Sequence, residues 1–227
     1  MVRNTENIDI SQNKVFIWSA NADMFTSEKL LELKKRIIHT KDKPHIIAIL
    51  EAKPKNCSRD LTKEEFQLPC YGMEEINLFT KKGRGIIVYI SETIKYNTID
   101  ILPVFEEAFF LSINCLNEAS VVIGFVYRSP NCDHENDLLL NQLITNGAQL
   151  YHSDIFILIG DFNFPKIDWT SLSSPGDTNS REFVFLETLR DSFLSQMIQE
   201  PTRARGTNNP SILDLIITNS EDAIAQV

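Results

Sequence analysis

Apolar residues in this chain come in strand-sized runs. The longest, Val121 to Val126 and Ile155 to Ile159, fall far short of the roughly 18 residues that a membrane-crossing helix requires. Both are rich in β-branched and aromatic residues, the pattern of strands buried on both faces. A chain of 227 residues is long enough to bury such strands in one large α/β or α+β domain. With 43% hydrophobic residues and only 8 glycines and 9 prolines, a disordered or collagenous chain is excluded.

Periodicity sets the order of the elements. Val15 to Trp18 reads as a buried strand, and Ser27 to His39 as an amphipathic helix carrying Leu30, Leu31, Leu33, Ile37 and Ile38, with Ser27 as its cap. Ile46 to Leu50 is the next strand, which makes a βαβ-like opening. Glu51 to Glu75 lacks a clean period and is expected to be loop, with one short helix at Lys63 to Phe66. Gly85 to Ile90, Phe109 to Ile113 and Ser120 to Tyr127 predict antiparallel strands. Helices follow at Leu138 to Leu150 and Arg181 to Leu194, and strands at Ile155 to Ile159 and Ile212 to Thr218. No repeat or linker interrupts the series. The expected architecture is an α/β (α+β) four-layered sandwich of two sheets with helices on the outer faces. Its predicted bounds are 15–227, after a tail at 1–14.

A net charge of −9 repels polyanions and argues against a passive nucleic-acid coat. It does not argue against a nuclease, because a cation held by carboxylates becomes the largest local charge in its site. Cys57, Cys70, Cys115 and Cys132 form no CxxC pair, so they are expected to be free thiols in an intracellular protein. The N-terminal stretch has no apolar core of a secretory signal.

The sharpest local signal is Ile155 to Pro165, a strand that ends in Gly160-Asp161-Phe162-Asn163. Alternate residues of an extended segment point the same way, so Asp161 and Asn163 can face one site. Gly, Asp, Asn and Pro are also turn formers, and alone this segment reads as a turn and does not decide the function. Four further segments change its weight: Ser19-Ala20-Asn21-Ala22-Asp23, Leu50-Glu51, Val126-Tyr127-Arg128-Ser129-Pro130-Asn131 and Leu213-Asp214-Leu215-Ile216. With these five motifs in order, the chain resembles the endonuclease/exonuclease/phosphatase superfamily. Within it the likeness is strongest to the apurinic-type endonuclease domain of non-LTR (LINE-type) retrotransposon polyproteins.

That resemblance implies a Mg²⁺ cofactor, with Mn²⁺ as its substitute, held by Glu51 and Asn21. It implies catalytic roles for Asp161, which orients the attacking water, and Asn163, which stabilises charge on the phosphorane-like transition state. Tyr127 becomes a hydrogen-bond donor or proton carrier, and Asp214 a support for the other groups. Asn131 and Arg128 fall at the substrate. The implied partner is DNA rather than a membrane, with a reverse transcriptase domain downstream in the parent polyprotein and a nuclear location for work on chromosomal DNA. Lys81, Lys82 and Arg84, and likewise Arg203 with Arg205, read as solvated loop charge that could touch a phosphate backbone. Trp169 reads as a packing residue beneath the Asn163 loop.

Two departures stand out. The family's Ser-Asp-His motif does not follow Asp214 before Val227, and His39, His45, His134 and His152 stand in no equivalent context. The chain is therefore expected to be an incomplete member lacking its C-terminal strand, with unpaired backbone around Phe16. Ala52 also stands where those domains carry Thr after the metal-binding Glu. Three functions stay open: a Mg²⁺-dependent DNA-nicking phosphodiesterase, a non-catalytic relic or binding module of the same fold, and a phosphomonoesterase of the same superfamily.

Overall fold

Strands without a polar face must be covered on both sides, and the computed structural model shows how this is done. It describes residues 5–10, 13–54, 61–80, 82–114, 120–203 and 210–227. In chain order the elements are β1 (Thr5–Ile10), β2 (Asn13–Asn21), α1 (Ser27–His39), β3 (Ile46–Leu50), β4 (Tyr71–Ile76), β5 (Ile86–Ser91), β6 (Tyr96–Ile99) and β7 (Ala108–Asn114). They continue with β8 (Ser120–Tyr127), α2 (His134–Leu150), β9 (Ile155–Asp161), α3 (Arg181–Asp191), β10 (Ser195–Gln196), β11 (Asp214–Thr218) and β12 (Ile224–Gln226). The strands form two six-stranded sheets, ordered β12-β1-β2-β3-β5-β4 and β10-β11-β9-β8-β7-β6.

Alternation along each strand divides the side chains between layers. In β9, Ile157 and Ile159 enter the core between the sheets, where they join Ile17, Ala48, Val88 and Ile123. Phe156 and Leu158 turn outward beneath Leu140 and Leu143 of α2 and Phe185 of α3. On the other outer face Leu30, Leu33 and Ile37 of α1 pack with Trp18, Ile47 and Tyr89. The expected four-layered sandwich is therefore present. No helix among the described residues is long and apolar enough to cross a membrane.

Each sheet has one parallel pair, and each pair is joined through an outer helix. β2–α1–β3 pairs Asn21 with Leu50 at its end, and β8–α2–β9 pairs Tyr127 with Asp161. β11 runs antiparallel to β9 and sets Asp214 beside Asp161. Both parallel pairs thus discharge their C-terminal residues at the same end of the sandwich.

Several expectations are corrected. Thr5 to Ile10 is not a tail: it pairs along β2, with Asn7 opposite Phe16, so the Phe16 backbone is no open edge. β12 in turn covers part of β1, and the strand containing Asp214 is not the last. Tyr71 to Ile76, expected as loop, pairs with β5 along its whole length. The cap of α1 is Thr26 rather than Ser27, its side chain accepting from Lys29 N at 3.3 Å. α2 starts four residues early because Asp133 caps it through Asn136 N at 2.8 Å. Cys70 and Cys132 are free thiols, while Cys57 and Cys115 lie outside the described residues.

Gly160 sits where β8 and β9 approach most closely. A Cβ there would lie 1.8 Å from the Val126 carbonyl oxygen and 2.8 Å from its carbon, and backbone cannot rotate away. Gly160→Ala is expected to cost about 3 kcal/mol or more by forcing the strands apart, read as a fall in the denaturation midpoint. A variant with wild-type stability would contradict this packing.

Candidate active site

The two strand-pair ends open into one cleft of about 1060 Å³ lined by Asn21, Glu51, Tyr127, Asn131, Asp161, Asn163 and Asp214. These come from both sheets and from segments up to 193 positions apart in sequence order, Asn21 to Asp214. At its floor the Asn21 side-chain amide donates from Nδ2 to Glu51 Oε1 at 2.5 Å and to Asp161 Oδ2 at 2.7 Å. One amide therefore ties a carboxylate of the first sheet to a carboxylate of the second.

The backbone is bent to deliver these groups. Glu51 has φ +50° and Asn163 φ +51°, with Asp23 at +40° and Met24 at +79° beside them. Asn and Asp tolerate the left-handed region, but Glu51 adopts it at a cost of order 1–3 kcal/mol that its surroundings must offset. Hydrogen bonds from Met24 N to Glu51 O and from Ala52 N to Gly85 O hold that turn. So does Arg84, whose Nη2 lies 2.7 Å from Glu51 Oε2 and 2.9 Å from Asp23 Oδ1, with Nε donating to Lys53 O at 3.0 Å.

Arg84 is thus no solvated loop charge; at 8% exposure it is the counter-ion of Glu51. Lys82 behaves differently, pairing on the surface with Glu106, and Lys81 lies outside the described residues. Arg203 is exposed at the cleft lip, and Arg205 is outside the described residues. Trp169 is half-buried against the outer core, as a packing residue should be.

Arg128, expected at substrate, does not line the cleft. It is 3% exposed, pairs with Asp137 at 2.6 Å and donates to the Asn163 carbonyl at 2.9 Å. Alternation along β8 is the sequence signal for this: with Tyr127 facing the cleft, Arg128 must face the other side. Thr202 went unnoticed in the sequence; its hydroxyl oxygen accepts from Leu213 N and Asp214 N at 3.0 Å each, fixing the entry to β11. None of the four histidines lines the cleft; His45 accepts from Phe16 N through Nδ1 and stacks on that ring.

Burial shapes the electrostatics. Asp161 is 4% exposed, and its Oδ1 has no hydrogen-bond partner. Burial, then the neighbouring Asp214, pushes its carboxyl up to about 7, against the Asn21 hydrogen bond and Arg203, which act the other way. Asp214 is raised as well, chiefly by burial, while Thr202 and Arg203 oppose the rise. The Tyr127 phenol is raised by burial and by the charges of Glu51 and Asp161, so it remains protonated.

These features fit a divalent cation. The donors are oxygens, one is buried without a partner, and the carboxylates repel one another. No group of three or more His, Cys, Asp or Glu side chains could cage a metal among the described residues. An ion such as Mg²⁺ keeps several waters and takes one or two carboxylates, and Glu51 and Asn21 are the residues here that would hold it.

Comparison with known proteins places the fold. Residues 121–227 match the family model described as endonuclease-reverse transcriptase. Among solved structures, an AP endonuclease from Leishmania major superposes with a TM-score of 0.62 at 13% identity, covering 90% of this chain and 78% of that one. The endonuclease domain of TRAS1, a telomere-specific non-LTR retrotransposon, gives 0.61 at 17%, covering 91% and 85%. The Xenopus laevis APE2 catalytic domain gives 0.61 at 15%, covering 90% and 82%. This chain has the apurinic-type endonuclease fold. The likeness read from the five motifs is borne out, although no curated protein matches the sequence.

A carboxyl whose pKa is raised on folding favours the folded state while protonated and burdens it once ionised. For Asp161 the burden is absent below about pH 4, grows through about pH 7 and is complete above it. In chelator, Asp161→Asn is expected to gain stability relative to wild type across that interval, by on the order of 4 kcal/mol at its upper end, in urea denaturation at stepped pH. A difference independent of pH would contradict the burial of this charge.

Proposed function

We propose that this chain is a divalent-metal-dependent DNA endonuclease that hydrolyses a phosphodiester by attack of water on phosphorus. The observation that supports it best is the Asn21 amide joining Glu51 to Asp161 across the two sheets. A structural role alone does not require two carboxylates to be gathered there.

Glu51 and Asn21 would hold the cation, Mg²⁺ or Mn²⁺, which supplies Lewis-acid polarisation of a phosphoryl oxygen and charge neutralisation. Asp161, with its carboxyl raised toward neutrality, orients the attacking water and accepts its proton, as a base near the working pH should. The Asn163 amide donates to the oxygen that gains charge, and Tyr127 holds its phenolic proton on the same face. Asp214 stands beside Asp161 across the strand register and helps keep its carboxyl raised, while Asn131 and exposed Arg203 flank the path of the backbone. DNA is the proposed substrate, in keeping with the AP and retrotransposon endonucleases that share the fold, and a chromosomal target would put the work in the nucleus. The family description also points to a reverse transcriptase as the neighbouring domain of a longer polyprotein.

A binding module without turnover is the second reading, favoured by the lack of an imidazole among the described residues lining the cleft. Supercoiled plasmid separates the two. Conversion to the nicked circle is expected with Mg²⁺ and not with chelator, abolished by Asp161→Ala and slowed about 10²- to 10³-fold by Asn163→Ala. Tight DNA binding without nicking at any Mg²⁺ or Mn²⁺ concentration would establish the second reading.

A further inference from the structure

Behind the cleft lies a buried charge network that none of the roles above uses. Arg128 grips Asp137 with two nitrogens, Nε to Oδ1 at 2.6 Å and Nη2 to Oδ2 at 3.1 Å. Its third nitrogen, Nη1, donates to the carbonyls of Asn163 at 2.9 Å and Phe162 at 3.3 Å. The guanidinium lies 4.0 Å from the centre of the Phe164 ring. In return Asn163 donates from Nδ2 to the Arg128 carbonyl at 2.7 Å, and Arg128 N donates to Asp161 O at 2.8 Å. Arg128 and Asn163 therefore hold each other through reciprocal hydrogen bonds, next to the backbone of Asp161.

Asp137 is the anchor. Besides Arg128 it accepts from Cys132 Sγ at 2.8 Å and pairs with Arg181 Nε at 3.3 Å, while Arg181 Nη1 donates to Cys132 O at 2.7 Å. Asp137 lies in the first turn of α2 and Arg181 opens α3, so the network pins both helix starts to the loop after β9. A planar fork that stacks and binds a carboxylate with two nitrogens is something Arg supplies and Lys does not.

We infer that Arg128 is a positioning residue for Asn163. One N–H of the planar Asn163 amide is spent on Arg128 O, which fixes the ring of directions open to the other N–H and to Oδ1 at the cleft. Asn163 sits at a left-handed φ of +51°, and the Nη1 bond to its carbonyl is one of the contacts that hold it there. Since all three guanidinium nitrogens donate within the protein, Arg128 has no role in gripping DNA.

The kinetic arm of the test rests on the nuclease reading; the spectroscopic arm does not. Side-chain amide resonances of Asn163, assigned by their loss in Asn163→Ala, are followed in wild type, Arg128→Lys and Asp137→Asn. In wild type one proton should exchange slowly, and both variants should speed that exchange at least tenfold while remaining folded. Unchanged exchange and chemical shifts in both variants would overturn the inference whether or not the protein nicks DNA. In nicking assays Arg128→Lys should lower kcat by roughly 10- to 100-fold, the scale of a misplaced catalytic group, with KM for DNA within twofold. Adding Arg128→Lys to Asn163→Ala should cost nothing further. A tenfold rise in KM at constant kcat would mark Arg128 as a substrate contact, and full additivity with Asn163→Ala would mark it as a structural brace only; either result refutes the assignment. No nicking by wild type, together with the expected exchange change, would sink the nuclease reading and leave the positioning role standing.

Discussion

A single amide group joins the two halves of this molecule at the point where chemistry is expected. Asn21 ends β2 in one sheet, Glu51 follows β3 beside it, and Asp161 ends β9 in the other; the Asn21 Nδ2 donates to both acids. Two carboxylates so placed repel each other in a poorly solvated cleft, and the amide offers each a hydrogen bond without adding charge. The sandwich supplies the geometry, because both parallel pairs end at the same edge and the apolar core between them keeps the sheets in fixed register.

Charge around that amide is balanced locally. Arg84 neutralises Glu51 and Asp23 along the cleft wall, and Arg203 faces Asp161 and Asp214 from the lip. Asp161 nevertheless keeps an oxygen without a partner. A chain with net charge −9 can approach a polyanion on these terms, since the field that matters is the one inside the cleft.

Much of the sandwich was legible because its central strands are apolar on both faces. Ile46 to Leu50 and Ile155 to Ile159 announce themselves, and α1 shows its buried Leu30, Leu33 and Ile37 at helical spacing. β4 and β6 did not, since both occupy sheet edges where polar residues such as Glu74, Glu75 and Asn97 are tolerated. β1 was hidden for a related reason: with Asn and acids in a six-residue strand, its pairing comes from its neighbour rather than from its own pattern. In the cleft, Asp161, Asn163 and Glu51 stood out through their motifs and strand-end positions. Arg84 could not, because what separates it from Lys82 is a tertiary partner. Arg128 was misread for want of applying alternation one residue past Tyr127.

Metal binding tests the account at its centre. If Glu51 and Asn21 hold one ion beside Asp161, Mn²⁺ titration followed by electron paramagnetic resonance should show a single site in the wild-type protein. Glu51→Gln and Asn21→Ala should each weaken it about tenfold or more. Normal Mn²⁺ affinity in both single variants, or the absence of any site in a folded wild-type chain, would contradict it.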